Sequence, residues 1–409
     1  MGRLVLVLGL SLVTGRLAGQ DSAVVAAFAA NRHPLRLEQG VLAGPGGELL
    51  VRESRAAQFT LVGEEHGVRE VPALVAALLR AIHPSGYRHL AIEVSPLSAR
   101  RIGEIARTQE PRRAFDELFR DPLHWMPFYT MPPETELLAW AVGREGGYTV
   151  WGLDYEVWAD RYWLRRLEPI VSADARPAVA SARARADSGF ARAARGDPSQ
   201  VFSFTAPESL FTALREAVGP ASESEAAEIL EVLERTVDIN RPFLAGRNYE
   251  SNLKRSSYLK ENFLRAYEAA RRPTGGPPRM LLKFGAFHME RGLNGVRQHD
   301  VGWLAAALAE ANGGRSFHVL AVGGPGTRHA VFDIRTLTYR PQPVEWIEAD
   351  AMLPVRAAMD SGDVVVFDLR PIRALIQDRR LREVAAQLER IVFGFDVLVV
   401  LTGSGPSVP

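Results

Sequence analysis

The chain has 409 residues, 47 % hydrophobic and 24 % charged, with 49 Lys+Arg against 48 Asp+Glu. Those proportions suit a globular protein with ample core and exclude a disordered, collagen-like or polytopic membrane chain and a generic basic nucleic-acid binder. Cysteine is absent, which removes disulfides, thiolate metal sites, iron–sulfur clusters and cysteine nucleophiles, and leaves His, carboxylates, Ser, Tyr, Lys and Arg for chemistry.

Met1 to Gly19 reads as a signal peptide. Arg3 gives the positive start, Leu4 to Val13 is an uncharged run, and Leu17-Ala18-Gly19 is a tolerable cleavage site. At about 1.5 Å per residue, that run is too short for a hydrocarbon core about 30 Å thick. The expectation is an exported chain, periplasmic or extracellular, without stable membrane insertion. Residues 20–409 are expected to form one α/β domain.

Phe59–Val62, His89–Val94, Thr149–Leu153, Met280–Phe284, Phe317–Val322, Val364–Leu369 and Val397–Leu401 read as buried strands. After the first, Val68, Val71, Leu74, Val75, Leu78, Leu79 and Ile82 recur at helical spacing. The alternation predicts an α/β fold with a mainly parallel central sheet flanked by helices. Residues 155–270 are rich in Ala, Arg and Glu with helical periodicity and read as a helical insertion; the run 272–278 (RPTGGPP) leads out of it as a linker.

A long-range repeat stands out. The first strand runs into Gly63-Glu64-Glu65-His66 and the strand at Met280 into Gly285-Ala286-Phe287-His288, each followed by a helical pattern. Two strand–GxxH–helix units suggest a duplicated half-fold with two histidines facing across a cleft, at the carboxyl ends of strands where parallel sheets bind ligands. Beside His66, Glu64 and Glu65 can orient a general base or bind a divalent cation. Glu93 interrupts the apolar run Ala91-Ile92-Glu93-Val94, where a buried charge needs a partner. Asp154 repeats that position on a third strand, with a helix N-cap as the alternative. Arg247, at the start of a helix, suits oxyanion stabilisation, a surface salt bridge being the alternative. Five of the seven tryptophans, Trp125 among them, fall close together with Phe128, Tyr129 and Tyr155. That concentration suits either a ligand wall or ordinary core. No HExxH, GxSxG, Walker or strand-following GxGxxG motif occurs.

The constellation resembles a superfamily that joins the erythromycin esterases to the Tiki, TraB and ChaN proteins. Gly63 to His66 and Gly285 to His288 match its GxxH pair, Glu93 the intervening carboxylate and Arg247 the intervening cation. The stretches Trp140 to Asp154 and Arg247 to Asn252 look more like the esterase branch. That branch usually carries GExxHG and two histidines in the second motif. This chain instead has the shorter Gly63-Glu64-Glu65-His66-Gly67 and His288 alone.

The resemblance implies a hydrolase of an ester, lactone or amide bond in a small-molecule or peptide substrate. In it His66 acts as base, oriented by Glu64 or Glu93, while His288 is the acid and Arg247 the oxyanion partner. Asp154, Tyr155 and Trp125 are expected to bind substrate. The Tiki branch implies one divalent metal (Zn, Mn or Co) held by Glu64, His66, Glu93 and His288, and the esterase branch none. The ChaN branch implies haem or ligand binding, with His66, His288 or Tyr155 as axial ligand.

Overall fold

Apolar runs buried on both faces form the centre of the molecule, and everything near the site is hung from their ends. The computed structural model describes residues 22–120, 126, 128–156, 158–219, 224–333, 336, 338–360, 362 and 364–407. The expected leader at residues 1–19 and Trp125 lie outside them.

Twelve strands occur among the described residues: β1 (Arg32–Pro34), β2 (Arg36–Glu38), β3 (Val41–Ala43), β4 (Phe59–Glu64), β5 (Tyr87–Ile92), β6 (Thr149–Gly152), β7 (Arg279–Gly285), β8 (Ser316–Gly323), β9 (Arg328–Asp333), β10 (Thr338–Pro343), β11 (Val364–Asp368) and β12 (Val397–Leu401). Eight form the central sheet in the order β1-β11-β12-β8-β4-β7-β5-β6. From β12 to β6 every pairing is parallel; β11 runs antiparallel to β12, and β1 antiparallel to β11. The fold is therefore α/β with a mostly parallel sheet, as the apolar runs predict.

Every residue of β4, β8 and β12 is buried, because helices cover both faces and parallel strands need apolar side chains on each. Val62 joins the core beneath the helices Glu70–Ile82, Pro96–Ala106 and Pro132–Ala141. Its neighbour Leu61 points the other way, toward Asn248–Arg271, Val301–Ala311 and Ala386–Gly394. This alternation is the two-residue period of a strand.

The described residues between 158 and 271 contain helices and no strand. Leu164, Phe211 and Leu233 form a separate apolar core there, which reaches the sheet layer at Leu97. Strands β9 and β10 pair as an antiparallel ribbon seated on the turn after β4, where Ala330 N–H donates to Gly67 O at 3.0 Å. Gly67 has φ +81°, and a Cβ there would lie 2.2 Å from the Ala330 oxygen, so only glycine fits. No helix among the described residues is long and apolar enough to cross a membrane.

Candidate active site

Strands β4 and β7 are hydrogen-bonded neighbours, with Glu64 opposite Gly285. The two GxxH turns thus leave the sheet side by side. Glu64 ends β4, and His66 follows in the turn; Gly285 ends β7, and a short 3-10 turn, Ala286–Met289, carries His288. Glu93 is the residue after β5, and Asp154 lies two beyond β6. All of them collect at the carboxyl ends of parallel strands, where diverging loops leave a crevice for a ligand.

Glu93 is the hub. His66 Nε2 lies 3.4 Å from its Oε2 and His288 Nε2 3.4 Å from its Oε1. Gly285 N–H donates to Oε2 at 2.7 Å and Arg255 Nη2 to Oε1 at 2.6 Å. A Cβ on Gly285 would sit 2.9 Å from His66 Nε2, so any larger residue at the end of β7 would push the imidazole out of place. Each histidine is fixed from behind through Nδ1: His66 to Glu64 Oε1 and His288 to Asp300 Oδ2, both at 2.9 Å. The His66 ring also stacks on Phe128, centroids 3.9 Å apart. A charge-assisted N–H···O bond is about 2.7–2.9 Å long, so the carboxylates behind grip the rings more tightly than Glu93 does.

Charge follows from these contacts. Burial opposes the charged form of His66, but the Glu93 and Glu64 carboxylates outweigh it and raise the pKa to about 9. Burial likewise opposes a charged His288; Asp300, then Glu93, overcomes it against the repulsion of Arg255 and lifts the pKa to about 10. For Glu93, burial favours the neutral acid, yet the imidazolium rings of His288 and His66 hold the carboxyl well below the usual range. Both histidines are therefore cations at neutral pH, balanced by Glu93 and by the carboxylates behind them.

Two cations hold these carboxylates, Arg255 at the cavity wall and Lys283 in the core. Arg255, on Asn248–Arg271, holds Asp154 through Nε (3.0 Å) and Nη2 while its Nη2 also reaches Glu93. Lys283, fully buried in β7, puts Nζ 2.8 Å from Glu64 and 2.7 Å from Glu134. Burial disfavours its charge, but the two carboxylates raise its pKa. Burial raises Glu134 to about 7 despite Lys283, and its Oε2 has no partner.

Two cavities meet at the cluster, and His66, Glu93 and Arg255 line both. The larger, about 450 Å³, adds His288, Leu320, Val322, Trp346, Ile391 and Arg390. The smaller, about 300 Å³, adds Met126, Phe128, Tyr155, Trp158 and Phe332.

Glu64, His66, Glu93 and His288, singled out in the sequence, are brought together, with Asp154 behind Arg255 and Tyr155 beside its guanidinium, 5.1 Å from the ring centroid. Asp154 is not a helix N-cap, since the next helix begins at Asp160. Arg247 is not in the cluster: it is exposed and pairs with Glu250 on the surface. Arg255, eight residues on, occupies the place expected for it. Sequence reasoning also missed Lys283, Glu134 and Asp300. A lysine inside the apolar run Met280-Leu281-Leu282-Lys283-Phe284 is the signal that would have found the first.

The four residues expected to bind a metal are paired with one another and with cations in this arrangement. Among the described residues no three His, Asp or Glu side chains are grouped to hold one. Glu93 already carries the Arg255 guanidinium and Glu64 the Lys283 ammonium, so fixed cations occupy the carboxylates a metal would need.

No protein-family model matches the chain, and no curated protein matches it. Solved structures do. An erythromycin esterase, EreC, in its open conformation as a histidine-to-asparagine mutant, is 18 % identical with TM-score 0.60, over 92 % of this chain and 98 % of that one. The fold is erythromycin esterase-like. A Bacillus cereus protein (13 % identity, TM-score 0.61) and a succinoglycan biosynthesis protein (12 %, 0.59) share this esterase-like fold, each over 95 % of this chain and 98 % of its own.

Proposed function

We propose that this protein is a metal-independent hydrolase that cleaves an ester, lactone or amide bond by activating water at His66. The observation that carries the reading is Glu93 held between two histidines, each 3.4 Å away and each tied through its other nitrogen to a carboxylate. That pattern fixes tautomer and orientation, as general acid–base work requires. The esterase-like fold of the neighbours supports the same class.

In the reactive form His66 is neutral. Its Nδ1–H stays on Glu64, so Nε2 takes a proton from water and the resulting hydroxide adds to the carbonyl carbon. Arg255 and the His288 imidazolium face the same space and carry the charge of the oxyanion. As the tetrahedral intermediate collapses, His288 Nε2 gives its proton to the leaving group, with Asp300 holding the ring. Esters and lactones are expected ahead of amides, because an alkoxide leaves with less help from a general acid than an amine does. All four ring nitrogens face carboxylates, which supports acid–base chemistry over haem ligation, where an imidazole nitrogen must be free. The composition of residues 1–19 supports export.

The test is an ester panel assayed with the full chain in chelator-treated buffer, beside His66→Ala and His288→Ala and with elemental analysis. Ester hydrolysis without stoichiometric transition metal is expected, and His66→Ala is expected to lower kcat/KM by about 10²–10⁴. Near-stoichiometric metal that leaves together with activity would overturn metal independence. A Soret band on adding haemin, lost in His66→Ala, would favour binding instead.

A further inference from the structure

The reactive cluster divides the active-site space into two unequal chambers with different walls. His288 lines the larger chamber alone, whereas His66, Glu93 and Arg255 line both. In a hydrolysis that uses His288 as acid, the leaving oxygen must lie on the His288 side. The alcohol then occupies the larger chamber, among Leu320, Val322 and Ile391, and the acyl group is directed into the smaller one.

Phe128, Tyr155, Trp158 and Phe332 form the aromatic part of the smaller chamber's wall, with Met126, Asp154 and Glu156 beside them. Phe128 stacks on His66 with an interplanar angle of 10°, Trp158 meets Phe332 edge to face at 6.4 Å, and Tyr155 lies against Arg255. Phe128 and Trp158 have φ of +72° and +69°. A bulky side chain rarely adopts the left-handed region, and such residues concentrate at functional sites. Phe128 is further pinned by its N–H to Tyr339 Oη at 2.7 Å, a hydroxyl contributed by the β9–β10 ribbon. Two unfavourable backbone conformations thus hold rings around a space of about 300 Å³.

We propose that this smaller chamber is an acyl subsite for a planar aromatic carboxylic acid, so that the substrate is an aromatic acid ester. The assignment rests on the hydrolase reading for its chemistry. Ring faces and edges pair with a planar π-system better than with a saturated chain. Water adds across the acyl C–O bond: its proton goes to His66, its oxygen to the acyl carbon, and the alcohol oxygen leaves with the proton of His288. The product is an aromatic carboxylate next to Arg255, which suits charge-assisted recognition.

The experiment compares p-nitrophenyl acetate, butyrate and benzoate with the full chain, each rate divided by its hydroxide-catalysed rate. Benzoate should exceed the other two by about tenfold, the scale of a few aromatic contacts, and Phe332→Ala should bring the ratio close to unity. In parallel, binding of benzoate and of cyclohexanecarboxylate is measured by saturation-transfer NMR, with benzoate the tighter and Phe332→Ala abolishing the difference. Equal normalised rates and equal binding of the two acids would overturn the assignment. If no ester is cleaved while benzoate still binds selectively through Phe332, the hydrolase reading fails and the aromatic-acid subsite stands.

Discussion

Arg255 and Glu93 are 162 residues apart in sequence, yet Nη2 of one lies 2.6 Å from Oε1 of the other. The same guanidinium holds Asp154, so one side chain ties the ends of β5 and β6 to the helix Asn248–Arg271. A lysine cannot span both carboxylates with fixed geometry. Arg255→Lys should fold while kcat/KM falls about 100-fold, the usual effect of losing one oxyanion donor. Arg255→Met should also lose about 3–5 kcal/mol of stability in denaturant unfolding, because Glu93 and Asp154 stay buried without their cation.

The pH profile should be alkaline. A base must be neutral to act, so kcat/KM rises as His66 loses its proton near pH 9. It falls again as His288 loses its proton near pH 10. Glu93→Gln removes the leading charge that raises His66, so the rising limb should move to lower pH. A flat profile from pH 6 to 9 in the wild type would contradict this electrostatic account.

Folding stability should follow the same groups. Both histidines have folded-state pKa values above the ordinary 6.5. Their contribution is complete below about pH 6.5 and is lost as pH rises through about 9 and 10. Urea midpoints of the wild type should therefore drop across that window, and those of the His66→Ala, His288→Ala double variant should drop less.

Glu134 acts in the same direction, but at lower pH. Burial raises its carboxyl from about 4.5 to about 7, so the unfolded chain releases this proton first. Stability should decline as pH rises between those values. Glu134→Gln should remove that component of the slope. Lys283→Met strips the cation from two buried carboxylates and should destabilise the fold by about 3–5 kcal/mol at pH 8, read from the urea midpoint and slope.

Gly285→Ala is the narrowest probe of the site. A methyl there first meets the end of the His66 side chain, 2.9 Å away, with Glu93 next at 3.4 Å. The fold should survive with a melting temperature within a few degrees, because the ring can swing aside. The displacement should still cost about 100-fold in kcat/KM, as a misplacement near 1 Å does.

Much of this was legible in the chain itself. Buried parallel strands announce themselves as unbroken apolar runs, and a strand followed by GxxH places glycine, carboxylate and imidazole within four residues, so β4, β7, Glu64, His66 and His288 needed no tertiary information. Glu93 was legible as a charge inside an apolar run. Arg255 carried a fainter signal: with Ser251, Leu259 and Asn262 it follows the helical period of the buried face of Asn248–Arg271, whereas Arg247 precedes that helix and faces water.

The sequence alone determined which elements form and which local turns carry reactive groups, since hydrophobic period and turn chemistry act over a few residues. Which arginine completes the cluster, that Lys283 and Asp300 back the histidines, and that β4 and β7 are neighbours were decided only by tertiary structure. The Arg255, Lys283 and β4–β7 contacts join segments more than a hundred residues apart, and the His288–Asp300 pair, only twelve residues apart, needs the turn after β7 to fold back on a helix N-terminus. Side-chain charge states follow from that burial and pairing rather than from residue type.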